Sequence, residues 1–225
     1  MTTQLTPQLD YEIYTKLERN EDSENAFDFE VACVTIPTAR DARRKLASLR
    51  GFAYMPGRIA PDMIMHDGHD LADARSGYAV EGLFLLMQQP EAVARAASND
   101  TRTTLRGMGG IVFCERLFVH PYVRGNGLGL RMLREIRQVY AASKGLMLLK
   151  AFPDDLAEGD VLSPGLSQYY QSDPALGLRP VRSLSRPGWL AGLCKPSPVN
   201  EQDQVCLTLK TIGAWEEVRE LGLYD

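Results

Sequence analysis

The chain has 225 residues, 44% of them hydrophobic and 24% charged, with a formal net charge of -4. Those values fit a globular protein with a real core: one domain with decorations, or a domain and a small lobe. The acidic balance gives no indication of a duplex-DNA partner, which calls for a basic face, though a basic groove inside an acidic protein stays open.

Cys33, Cys114, Cys194 and Cys206 are dispersed and form no C-x-x-C pair, so buried free thiols are expected and metal ligation is not. The longest apolar run, near Leu83–Met87, is far too short to span a bilayer. Met1–Asp10 lacks a basic patch followed by an apolar stretch. The expectation is a cytoplasmic protein without membrane contact.

Residues 1–27 are polar and acidic and are expected to form an arm, or a helix around Tyr11–Leu17. Residues 28–225 are expected to form a single domain with a C-terminal extension. Phe29–Ile36 is rich in β-formers and reads as a strand ended by Pro37. Ala39–Leu49 reads as a helix capped by Thr38, with Ala42, Leu46 and Leu49 on one side and Gly51 as its stop. Residues 55–78 are loop-rich, with a short strand at Met63–Met65 before an Asp67-Gly68 turn. Val80–Gln88 reads as a buried strand, Glu91–Ala97 as a short helix after Pro90, and 98–108 as a polar loop.

Ile111–Val119 is an apolar strand stopped by His120-Pro121. A turn, Arg124-Gly125-Asn126-Gly127-Leu128-Gly129, leads into a helix reaching about Ser143, with Gly129, Met132, Leu133, Ile136, Val139 and Tyr140 on one face. Gly145 suits the turn beyond it, and Leu146–Leu149 is a central strand. A helix of this length between two apolar strands implies a right-handed crossover and parallel strands. Val205–Leu209 reads as a further strand, and Ala214–Leu221 as an amphipathic piece.

The glycine turn carries the chemistry. A helix N-terminus presents unpaired N–H groups and a partial positive charge. Glycines there admit positive φ and clear space for a bulky anion, which makes a phosphate cradle. Arg124, just ahead, adds a charge-assisted contact. A Walker loop would need Gly-Lys-Ser/Thr, and here Gly129-Leu130-Arg131 follows. The glycine spacing is also one residue short of G-x-G-x-x-G, and no acidic residue closes a second strand about 20 positions on, which weakens a dinucleotide reading.

The run Leu117-Phe118-Val119-His120-Pro121-Tyr122-Val123-Arg124-Gly125-Asn126-Gly127-Leu128-Gly129 resembles motif A of the GNAT N-acetyltransferases. That motif is (Gln/Arg)-x-x-Gly-x-(Gly/Ala) after a strand ending Val-x-Pro. Arg124, Gly127 and Gly129, with Val119 and Pro121 upstream, occupy its positions. The resemblance implies an α/β fold whose mixed central sheet, with helices on both faces, splays at an acetyl-CoA site. It implies that the backbone of Arg124, Gly125, Asn126, Gly127, Leu128 and Gly129 holds the CoA pyrophosphate. The backbone of Leu117, Phe118 and Val119 would pair with the pantetheine arm. Tyr169-Tyr170 followed by Leu176-Gly177-Leu178 is similar to the family's Phe-Tyr-x-x-x-Gly-Phe. That implies Tyr170 as the acid for the departing thiolate, with Tyr169 the candidate if the register is off by one.

The attacking amine must lose a proton. Period-two alternation puts Glu115, Leu117 and Val119 on one strand face, and Glu115 is the candidate base, against a water chain or an exposed strand residue. His120 reads as a loop residue. The cluster His66-Asp67-Gly68-His69-Asp70 reads as a plain turn, not a metal site. Arg40, Arg43 and Arg44 read as a solvated face. Tyr78, Trp189 and Trp215 are read as core or interface packing, or as acceptor-pocket rings. The segment 182–204 is expected to be a hairpin or loop over the acceptor site.

The expected activity is acetyl transfer from acetyl-CoA to a primary amine by direct attack, with no metal, in a monomer or homodimer. Two alternatives are an acyltransferase acting on a macromolecule (a protein lysine, an RNA, or an amine-bearing modified DNA base) and a non-catalytic CoA-binding protein.

Overall fold

The computed structural model describes residues 11–21, 23–36, 44–59, 76–100, 102–151, 164–183 and 185–196. Within them lie strands β1 (Tyr11–Arg19), β2 (Ala26–Thr35), β3 (Lys45–Tyr54), β4 (Ile111–Val119), β5 (Leu146–Lys150), β6 (Arg179–Pro180) and β7 (Trp189–Leu193). Helices α1 (Gly77–Gln88) and α2 (Pro90–Ser98) precede β4; α3 (Leu128–Val139) joins β4 to β5; α4 (Pro164–Gln171) precedes β6. Among the described residues the strands form one seven-stranded sheet in the order β1-β2-β3-β4-β5-β7-β6. The β4/β5 pair is parallel and the others are antiparallel. The chain is therefore an α/β protein with a mixed sheet. No helix among the described residues is long and apolar enough to cross a membrane.

The sheet has two apolar faces. Phe52, Phe113, Leu146, Leu148, Trp189 and Ala191 pack with Leu83, Leu86 and Val93 of α1 and α2. Val31, Leu49, Val112, Met147 and Leu149 pack with Met132, Leu133 and Ile136 of α3. Burying one stripe of each helix against a sheet face is the main stabilising term of such a layered fold.

Three sequence expectations are corrected. The N-terminal segment, read as an arm or helix around Tyr11–Leu17, is an edge strand paired with β2 along its whole length. Tyr11 and Ile13 pack against the α3-side core while Glu12, Tyr14 and Lys16 face outward, a period of two. The helix expected over Ala39–Leu49 is strand from Lys45 onward; Leu46 and Leu49 are buried, and Gly51, expected as a stop, lies inside β3. There a Cβ would collide with the Phe113 carbonyl oxygen, so only glycine tolerates this approach of β4. The expected strand Val80–Gln88 is helix α1. Its apolar run hides a helical stripe of Ala79, Gly82, Leu83 and Leu86, and the Ser76 hydroxyl caps it by accepting from the Ala79 N–H.

The remaining expectations fare better. Phe29–Ile36, Glu91–Ala97, Ile111–Val119 and Leu146–Leu149 match β2, α2, β4 and β5 in type, and β4 and β5 run parallel. α3 ends at Val139, short of Ser143, with Lys144 rather than Gly145 taking the left-handed backbone (φ 52°). Part of 182–204, read as a hairpin or loop, is β7, inserted between β5 and β6. The expected elements at Met63–Met65, Val205–Leu209 and Ala214–Leu221 lie outside the described residues.

Candidate active site

β4 and β5 pair only from Ile111/Leu146 to Cys114/Leu149. Beyond that point β4 continues through Val119 with β3 on one side and no described strand on the other. Its outer backbone groups therefore face a gap among the described strands. A bulge occurs at the same level: Arg50 opposes Arg116 while Gly51 opposes Cys114, and Glu115 is the extra residue. The bulge shifts the alternation, so Glu115 does not share a face with Leu117 and Val119 as expected. Leu117 and Val119 pack with the α3-side core, whereas Glu115 bonds to the α1 cap.

The strand delivers the chain into a tightly tied turn. The His120 N–H donates to the Leu46 carbonyl (2.8 Å), and its Nδ1 accepts from the Tyr122 N–H (3.3 Å). Arg124 Nε donates to the Val119 carbonyl (2.9 Å), and Asn126 Nδ2 to the Val123 carbonyl (2.9 Å). His120 is fully buried; burial first, then the nearby Arg124 charge, lowers its pKa to about 4, so it stays neutral at pH 7. It is a structural pin of the turn.

Gly125 (φ 89°) and Gly127 (φ 75°) take left-handed backbone, and Gly127 is the N-cap of α3 without a side chain to satisfy the first-turn N–H groups. Gly129 permits close packing: a Cβ there would lie 3.0 Å from Leu117 Cδ2 and 3.4 Å from the Tyr169 hydroxyl.

A cleft of about 670 Å³ runs along β4 to this turn. Of the residues proposed from sequence to hold a cofactor, Leu117, Phe118, Val119, Arg124, Gly125, Gly127, Leu128 and Gly129 line it. Asn126 is outside this lining and staples the turn from behind. Both candidate catalytic residues, Glu115 and Tyr170, also line the cleft.

The two tyrosines of α4 differ in setting. Tyr170 is 6% exposed and belongs to the α3-side core. Tyr169 is 36% exposed, and its hydroxyl reaches the first turn of α3 beside Gly129. Burial raises the Tyr169 pKa, opposed by a hydrogen bond from the Leu130 backbone, so the phenol keeps its proton at neutral pH.

On the α1 side of the gap lies a second, small cavity of about 20 Å³ walled by Tyr78, Phe113, Cys114, Glu115, Lys150 and Trp189. The Ser76 hydroxyl donates to Glu115 Oε1 (2.9 Å). Lys150 Nζ pairs with Glu81 Oε2 (2.6 Å), Trp189 Nε1 donates to Glu81 Oε1 (3.0 Å), and Lys150 lies 5.1 Å from the Tyr78 ring centroid. Tyr78 and Trp189 were legible as candidate pocket rings. Ser76, Glu81 and Lys150 were missed, because their positions depend on α1 being a helix. Among the described residues no group of three His, Cys, Asp or Glu side chains is disposed to hold a metal. His66, Asp67, His69, Asp70, Arg40, Arg43 and Trp215 lie outside the described residues.

Comparison with protein-family models, curated proteins and solved structures finds no significant match to any of them.

Proposed function

We propose that the protein is a GNAT-type N-acetyltransferase, moving an acetyl group from acetyl-CoA to a primary amine. One observation carries the reading. A strand with an open edge, Glu115–Val119, leads without interruption into an uncapped, glycine-rich helix N-terminus, and both line one cleft. An extended thioester ending in a pyrophosphate is a ligand that fits this sequence of surfaces.

On this reading the first-turn amides of α3 and the Gly125–Gly127 backbone hold the pyrophosphate. The open edge of β4 takes the pantetheine amides as a sheet edge takes an added strand. The thioester then lies in the gap between β4 and β5, where a strand amide meets the developing oxyanion. The amine comes from the α1 side, where Glu115, oriented by Ser76, accepts its proton directly or through water. The thiolate leaves toward α4. Tyr169 is the better-placed acid of the pair, because its hydroxyl already sits beside Gly129 while the Tyr170 ring is packed in the core. No covalent intermediate on the protein is needed; holding thioester and amine together supplies the main acceleration.

The test is an amine screen with free-thiol detection on the full chain. Thiol release that requires both acetyl-CoA and an amine, and disappears in Gly127→Glu, supports the reading. Tight CoA binding with no thiol released by any amine leaves a CoA-binding protein without transferase activity.

A further inference from the structure

Lys150 ends β5 one residue past the last β4/β5 pair, Cys114/Leu149, at the mouth of the gap. Its side chain borders both the large cleft and the small α1-side cavity. Among the described residues lining the cleft it carries the only primary amine; the other cations there are the guanidinium groups of Arg116 and Arg124. The Lys150 side chain is 17% exposed, and a carboxylate stands against its amine: Glu81 Oε2 at 2.6 Å, with the other Glu81 oxygen fixed by Trp189 Nε1. The Tyr78 ring flanks it at 5.1 Å. A nucleophile, a base for its proton and a flanking aromatic ring are thus assembled where the thioester would lie.

We infer that Lys150 is an internal acetyl acceptor, so that the protein acetylates itself within its own cleft. This rests on the acetyl-CoA reading of that cleft. The ammonium of Lys150 gives a proton to the Glu81 carboxylate, and the freed lone pair attacks the thioester carbonyl carbon. A C–N bond forms, the nitrogen loses its second proton, and the C–S bond breaks. CoA leaves as the thiol after taking a proton from Tyr169, whose phenolate recovers the nitrogen's second proton through water, and Glu81 releases the first proton to solvent. The net change is lysine ammonium plus acetyl-CoA giving acetyl-lysine, CoA thiol and one released proton. The product is neutral, so the Lys150–Glu81 ion pair is lost and a carboxylate is left beside Trp189. Cys114 borders the same two cavities, but burial pushes its thiol up, which keeps it protonated and a poor competitor.

The experiment incubates the full chain with acetyl-CoA and follows added acetyl groups by intact mass, then assigns them by peptide fragmentation. The exposed Lys144 serves as the internal reference for uncatalysed acetylation. Lys150 is expected to be acetylated at least about tenfold faster than Lys144, as proximity in a bound complex demands. The excess is expected to vanish in Gly127→Glu, and Lys150→Arg, which keeps the ion pair, is expected to gain only the Lys144-type background. Lys150 remaining unmodified while acetyl-CoA still raises the melting temperature overturns the inference and leaves the cofactor reading intact. Equal rates at Lys150 and Lys144, or acetylation of Lys150 persisting in Gly127→Glu, also overturn it. No melting shift at all removes the cofactor reading and this inference together.

Discussion

Gly127 allows the conformational and ligand-binding duties of the turn to be separated. Its φ of 75° is left-handed, and a Cβ there would meet no heavy atom within 4 Å. Any substitution therefore carries the backbone cost alone, about 1–2 kcal/mol for an L-residue in that region. In a chain of this size 1 kcal/mol moves the melting temperature by roughly 2–4 °C. Gly127→Ala should melt roughly 2–8 °C lower than the parent. Gly127→Glu pays the same backbone cost but sets a carboxylate at the N-terminus of α3, which recovers about 0.3–1 kcal/mol. Without ligand, the Glu variant should thus be the more stable of the two. Acetyl-CoA at 100 times its dissociation constant adds about 2.7 kcal/mol, or roughly 5–11 °C. Parent and Gly127→Ala should show that shift, and Gly127→Glu should not, because its carboxylate would occupy the proposed pyrophosphate position. The assay is a pair of thermal melts per variant, with and without ligand. A Glu variant that responds as fully as the Ala variant refutes the phosphate-cradle argument, since stability and binding would then have failed to part.

Tyr169→Phe should lower the transfer rate by about 10²-fold or more while leaving the melting temperature close to that of the parent. Tyr170→Phe should cost less than that; the reverse ranking in steady-state kinetics returns the acid role to Tyr170. Gly82→Ala would place a Cβ 2.6 Å from Phe113 Cε1 and 2.8 Å from Trp189 Cη2. Overpacking of about 1–3 kcal/mol should outweigh the better helix propensity of alanine, roughly 1 kcal/mol. A urea midpoint at or above the parent's would contradict this. His120 has a folded pKa of about 4 against an ordinary value of 6.5. The unfolded chain therefore binds its proton first, and stability falls as pH drops from 6.5 to about 4, then levels off. The loss from this group is at most on the order of 3 kcal/mol. His120→Asn should flatten that part of the melting-temperature profile, and an unchanged profile would assign the acid sensitivity elsewhere.

The strand, glycine turn and helix from Ile111 to Val139 were legible because local signals agree there: an apolar run, a Pro stop, glycines at a helix start and a clean helical stripe. The errors cluster where periodicity is ambiguous. Val80–Gln88 is so apolar that a buried strand and a buried helix look alike, and the deciding residue, the Ser76 cap, lies upstream of the run. Leu46 and Leu49 fit a helical spacing, yet they belong to a strand whose alternation is masked because Leu46 and Ala47 are both buried. The bulge at Glu115 had no sequence signal in β4 itself. It is encoded across the sheet, by the absence of a side chain at Gly51.

That bulge lets the two faces of β4 serve different elements, which on the proposed reading gives proton acceptor and proton donor opposite sides of the sheet. With regular alternation from Phe113, which packs on the α1 side, Glu115, Leu117 and Val119 would all have lain on the α1 face. The extra residue leaves Glu115 on the α1 face, bonded to Ser76, and turns Leu117 and Val119 over to α3. An amine arriving on one side and a thiolate departing on the other then have separate routes. Both routes meet only where the sheet is open, along the five residues of β4 from Glu115 to Val119 that follow its last partner in β5. Gly129 brings the Tyr169 hydroxyl down to that opening from the α3 face, and Gly82 brings α1 down between Phe113 and Trp189 from the other. Two close approaches, one bulge and a stretch of β4 with no described strand beside it are sufficient to define the proposed site. None of them is a short contiguous motif, so the glycine turn alone marks one end of the cleft and not the other.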